Sequence, residues 1–143
     1  MKNACKKDNT KAALRIVRVK TGNLMEKETE VLIVEDSEEV LWMMGNVLEH
    51  AGFAVDGVTT GEGALKKVRE IPEIRLIILN HLLPDMSGIT VLNRLRKSGS
   101  RVKVIAVSAM KGVSESLMKA GAFTFFCKNH LILASLSACA SRR

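Results

Sequence analysis

From residue 31 onward the chain alternates between apolar runs of strand length and amphipathic runs of helix length. The apolar runs are Val31 to Glu35, Phe53 to Val58, Arg75 to Leu79, Val102 to Ser108 and Ala122 to Cys127. Leu76-Ile77-Ile78-Leu79 is four apolar residues in a row. Its brevity and flanks predict a central strand covered on both faces rather than a helix. Between the runs, Ser37 offers an N-cap to a helix carrying Val40, Leu41, Met44, Val47 and Leu48 on one side, and Gly52 stops it. Gly61-Glu62-Gly63-Ala64-Leu65 opens a second helix that Pro72 bounds. Ile89, Leu92 and Leu95 line a third, broken by Ser98-Gly99-Ser100. A weakly amphipathic fourth runs from Ser114 to Ala120 and ends at Gly121; a short fifth spans Leu131 to Ala140. Strand then helix, five times over, predicts an α/β fold: a doubly wound parallel sheet with right-handed crossovers.

In such sheets functional groups gather at the carboxyl ends of the strands, near the point where strand order reverses. The polar residues here follow that rule. Glu35 and Asp36 end the first strand, Asn80 the third, Ser108 the fourth and Lys128 the fifth. A set that closes four strands of five is a candidate site. Adjacent carboxylates are costly to hold together unless a cation compensates them, and hard oxygen ligands of this kind suit magnesium. Asp36 is equally placed to cap the first helix. Gly61 and Gly63 belong to a turn and not to a phosphate loop, because no Gly-x-x-x-x-Gly-Lys pattern follows. Alternation along the third strand points His81 away from Asn80, which argues against its joining that set. Trp42, Met43 and Met44 suit core or half-exposed positions on the first helix.

Together with the loop Leu82-Leu83-Pro84-Asp85-Met86-Ser87-Gly88, these residues resemble the receiver domain of two-component response regulators, over about residues 30 to 140. The resemblance implies a flavodoxin-like five-stranded parallel sheet in the order 2-1-3-4-5. It implies magnesium held by Glu35, Asp36, the residue at position 80 and the backbone carbonyl of Leu82. Lys128 would stabilise charge on a transferred phosphoryl group, while Ser108 and Phe125 would form the family's switch. The implied role is signalling and not enzymatic: a stand-alone cytoplasmic module of a bacterial phosphorelay, monomeric or weakly dimeric. Its partners would be a sensor histidine kinase, a phosphotransfer protein or a downstream protein target, met through the face of the fourth helix, fifth strand and last helix.

Two positions depart from the family pattern. Asn80 stands where the family carries its phosphoacceptor aspartate. An amide oxygen is neutral and a poor nucleophile, so it cannot form the mixed anhydride. The expectation is a phosphorylation-incompetent chain with weakened or absent magnesium binding. Two origins are open: a natural pseudo-receiver that acts by protein–protein interaction, or a conventional regulator carrying an engineered Asp-to-Asn substitution. The second departure is Asn129, where the family has a proline after a cis bond. A non-proline cis bond costs about 2.5 to 4 kcal/mol, so a trans bond and a shifted loop are expected after Lys128.

Composition changes this picture little. The net charge of +7 sits mostly in residues 1–24, where seven basic residues face Asp8 alone; the remainder is balanced to within one charge. Residues 1–28 are therefore expected to be a basic extension, disordered or not native, with Met25 as an alternative start, and 29–143 the receiver domain. Nucleic-acid binding through the extension is one alternative, although most such tails are simply solvated. No apolar stretch approaches the roughly 20 residues that span a bilayer, and none follows the early lysines as a signal peptide would require. Cys5, Cys127 and Cys139 form no Cys-x-x-Cys pair and are expected to be reduced thiols; His50, His81 and His130 lack zinc spacing. An aspartate-dependent phosphatase would need the carboxylate that Asn80 lacks. A flavin electron carrier would need ring-flanking aromatics, and the chain has no tyrosine and one tryptophan.

Overall fold

The computed structural model describes residues 29–110 and 112–128. The expected last helix, the basic extension, and the bond from Lys128 to Asn129 lie outside the described residues. Within them the chain runs β1 (Val31–Val34), α1 (Glu38–His50), β2 (Val55–Val58), α2 (Gly61–Glu70), β3 (Leu76–Asn80), α3 (Gly88–Lys97), β4 (Lys103–Ser108), α4 (Ser114–Lys119) and β5 (Thr124–Cys127). The five strands form one parallel sheet in the order β2-β1-β3-β4-β5. The expected strands keep their centres but lose a residue or two at their ends, and the third also gains Asn80, which was expected to follow it. Those end residues sit where ladder pairing gives way to turns.

Strand alternation divides the core in two. Val31, Ile33, Leu76, Ile78, Ile105 and Val107 pack with Met44 and Leu48 of α1. Leu32, Val34, Ile77, Leu79, Val104 and Ala106 pack under α2, α3 and α4, against Ala64, Leu92, Leu95 and Leu117. Every residue of β1 and β3 is buried, which is why these strands read as unbroken apolar runs. Val40 and Leu41 pack at the margin of the α1 side, and Trp42 and Met43 are half-buried.

The caps follow from local chemistry. Ser37 accepts a bond from the Val40 N–H at the start of α1, and Gly52, at φ +98°, turns the chain after it. Thr60 and Ser87 cap α2 and α3 in the same way. Arg96 fastens the far end of the sheet. Its guanidinium donates to the carbonyls of Ser100, Val102 and Gly121, tying the end of α3 to the entries of β4 and β5. Gly121 is doubly required there: its φ is +115°, and a Cβ would lie 2.9 Å from Arg96 Nε.

Candidate functional site

Period-two counting places Glu35 and Asn80 on the α1 side of the sheet, with Ile33 and Ile78. Lys128 follows Phe126 onto that same side. The sheet is prolonged past its formal strand ends to fix them there. The Glu35 N–H donates to Val58 O, the His81 N–H to Val107 O, and the Lys128 N–H to Ser108 O. The three side chains therefore converge on one spot.

Lys128 Nζ donates to Glu35 Oε1 at 2.7 Å, and the other oxygen, Oε2, accepts from the Ser37 N–H at 3.0 Å. The Glu35 side chain is only 1% exposed and that of Lys128 is 23%. Burial pushes the Glu35 carboxyl above its ordinary value, and the bonds from Lys128 and Ser37 oppose that push. Asn80 is 5% exposed. Its amide nitrogen donates to Asp36 Oδ1 at 3.1 Å and to Leu82 O at 2.8 Å. Both neighbours can only accept, so the amide must present its nitrogen to them. The Leu82 carbonyl is turned inward by a tight loop, closed by the bridge Leu82 to Ser87 and by the Gly88 N–H donating to His81 O at 2.7 Å. Gly88 is needed for that closure, since a Cβ would lie 3.0 Å from His81 Cα and 3.1 Å from Asn80 O.

Ser108 and Phe125 lie on the opposite side, among the residues under α2 to α4. The Ser108 hydroxyl is buried and accepts from the Met110 N–H at 2.9 Å. Phe125 pairs in register with Ala106 and packs, half-buried, against that core. His81 is also buried, with its Nδ1 unpartnered. The sequence-predicted residues thus form two groups. Glu35, Asp36, Asn80, the Leu82 carbonyl and Lys128 make one bonded cluster; Ser108 and Phe125 stand across the sheet from it.

As arranged, two of the oxygens that would face a magnesium ion, Asp36 Oδ1 and Leu82 O, accept amide hydrogens from Asn80 instead, and this donor set does not match a divalent cation. A divalent cation needs free oxygen lone pairs at about 2.0 to 2.1 Å. Among the described residues no group of three or more histidine, cysteine or acidic side chains is placed to hold a metal.

Two features escaped the sequence reading. Asp85, in the loop after β3, accepts from the N–H groups of Gly61 (2.8 Å) and Glu62 (2.9 Å), so a carboxylate from one loop caps α2 across the site rim. An acid in a Pro/Gly loop was visible, but not its target 24 residues upstream. The other is Asp56 on β2, wholly buried and held by Lys67 of α2 at 2.6 Å. A lone aspartate inside a strand was its signal.

Asp85 makes a pH prediction. The Glu62 and Gly61 amides hold its carboxyl below the ordinary value near 3.8. Its contribution to stability is complete above that value and is lost as pH falls through the lower folded one. The parent is expected to lose thermal stability more steeply than Asp85→Asn below about pH 4. Parallel melting curves for the two proteins from pH 5 to 2 would refute this.

Known proteins place the chain in a family. The family model of the response regulator receiver domain matches residues 31–133. The chain belongs to that family. Among its relatives, this receiver is 32% identical over 102 residues to the chemotaxis protein CheY of Thermotoga maritima, covering 68% of this chain and 83% of that one. It is 34% identical over 87 residues to the transcriptional regulatory protein YkoG of Bacillus subtilis, covering 61% of this chain but spanning only 38% of YkoG. Solved structures share the receiver fold. The response regulator TrrA of Thermotoga maritima, in complex with Mg(2+)-BeF, superposes with a TM-score of 0.72 at 24% identity, over 80% of this chain and 97% of TrrA. A CheY-like receiver from Methanospirillum hungatei gives 0.71 at 24%, over 81% and 94%. Receivers are signalling modules of two-component systems that work with histidine kinases or phosphotransfer proteins, and the observed strand order is theirs. No described helix of this receiver is long and apolar enough to cross a membrane.

Proposed function

We propose that this receiver is a pseudo-receiver: a protein-binding module of a two-component pathway that takes no phosphoryl group and needs no magnesium. Asn80 stands at the phosphoacceptor position. The observation that carries the reading is the Asn80 amide donating at once to Asp36 and to the Leu82 carbonyl. Those two acceptors and Glu35 are the groups that would face a metal, and each is satisfied from within the chain. One nitrogen thereby removes the nucleophile and supplies hydrogen-bond donors in place of a cation.

In the pseudo-receiver, Lys128, Ser108 and Phe125 hold a single conformation instead of reporting phosphorylation. Binding to a kinase, phosphotransfer protein or downstream target then depends on surface alone. The exposed side chain of Met118 on α4 suits contact through the α4 and β5 face.

The test is beryllofluoride with magnesium, followed by ¹H–¹⁵N NMR on the parent and on Asn80→Asp. The parent spectrum is expected to stay unchanged, while the variant shifts at residues 80, 108 and 125. A parent that responds as the variant does would end the pseudo-receiver reading. A response confined to the variant also shows that the rest of the pocket remains competent.

A further inference from the structure

A second concave surface lies at the opposite end of the sheet, at the amino ends of β3 and β4. Segments 68–75 and 98–103 line a shallow, open cleft of about 760 Å³. Its floor is apolar, with Ile71, Ile74 and Val102, and its rim carries Arg69, Arg75, Arg101 and Lys103. No acidic residue lines it. Glu70, next to Arg69, is engaged with Lys66 at 3.8 Å on the helix surface, and Glu73 stays off the lining.

The walls are fixed in place. Arg96 donates to Ser100 O and Val102 O, which shapes the 98–103 segment. Backbone bonds from Arg75 and Leu76 to Glu30 O anchor the other wall. Lys103 holds its ammonium 4.4 Å from the ring centroid of Phe123, an aromatic residue that is 55% exposed beside the cleft. A pre-shaped apolar floor under four cations selects its occupant by charge. Residues 1–28 carry eight basic residues and three acidic, and residues 129–143 carry two arginines and no acid, so both segments are net basic and neither is complementary. The occupant must come from another molecule, and it must be anionic. The apolar floor favours a peptide over a nucleic-acid backbone, which would present sugars and phosphates to it.

We infer that this cleft is a docking site for an acidic peptide segment bearing apolar side chains, presented by a partner protein. The apolar side chains would settle on Ile71, Ile74 and Val102, and the carboxylates would meet Arg69, Arg75 and Arg101, for which guanidinium forks are well shaped. The site lies at the far end of the strands from Asn80, so it serves whether or not the receiver is ever phosphorylated.

The probe is a dye-labelled synthetic peptide alternating aspartate and leucine, titrated into the full chain and followed by anisotropy and by ¹H–¹⁵N NMR. Saturable binding is expected, with shifts concentrated in residues 68–75 and 98–103. The double substitution Arg69→Glu with Arg101→Glu should weaken it by about tenfold or more, and Lys66→Glu, on the same helix outside the cleft, should change it little. Shift mapping on the parent needs no variant and holds even if the double substitution harms folding. Shifts confined to residues 1–24 or to the Asn80 end, unchanged affinity in a folded double variant, or absence of saturation would each overturn the proposal. So would an oligothymidylate that displaces the peptide from the cleft and binds it more tightly.

Discussion

Replacing Asn80 with aspartate lowers the melting temperature of the metal-free protein by roughly 10 °C, and millimolar magnesium returns most of the loss. The substitution deletes two hydrogen bonds, each contributing about 1 kcal/mol. It also sets a new carboxylate against Asp36 Oδ1 and the Leu82 carbonyl, at the positions where the amide donated. Like charges so close disfavour each other. A loss of about 2 kcal/mol in a domain of this size corresponds to roughly that shift in midpoint. Magnesium then acts as a ligand that binds the folded state alone. Asn80→Ala separates the two causes, because it removes the donors without adding a charge; it should lose less and gain nothing from magnesium. A variant aspartate protein as stable as the parent without metal would show that the amide bridge contributes little.

Lys128→Met is expected to destabilise the fold by about 2 to 3 kcal/mol at pH 7. Removing one partner of a buried ion pair strands the other, and the figure is set at or below the usual range because the Lys128 side chain is 23% exposed. The Glu35 carboxylate would keep only the Ser37 N–H. Its carboxyl already lies above the ordinary value through burial, and losing the ammonium raises it further. A folded value above the unfolded one means that the protonated form is favoured by folding. The deficit is therefore present at neutral pH and shrinks as the pH is lowered through the raised folded value. Adding Glu35→Gln should remove most of the deficit, since the amide oxygen still accepts from Ser37 and no charge is left behind. Denaturant unfolding of the four proteins in this cycle measures the coupling directly. An equal cost for Lys128→Met in both backgrounds would show that Lys128 acts through something other than Glu35.

The chain by itself determined the order of elements, the parallel sheet and the end of it where polar groups gather. These are local properties. A strand buried on both faces must be apolar throughout, and a helix with one wet side must repeat its apolar residues every three or four positions. Ser37, Gly52 and Gly121 mark their boundaries through chemistry that acts over a few residues. None of this says on which side of the sheet each polar group lies, or which groups then bond. Lys128 reaches Glu35 across 93 residues, Asn80 reaches Asp36 across 44 and Asp85 caps α2 across 24. Arg69 and Arg101 line one cleft only because the chain brings segments 68–75 and 98–103 together. Those pairings depend on strand order and helix packing, and on distances of a few tenths of an ångström that no residue pattern encodes. Only the tertiary structure decided that the amide of Asn80 turns its nitrogen toward Asp36 and Leu82, and that four cations scattered in sequence share one cleft.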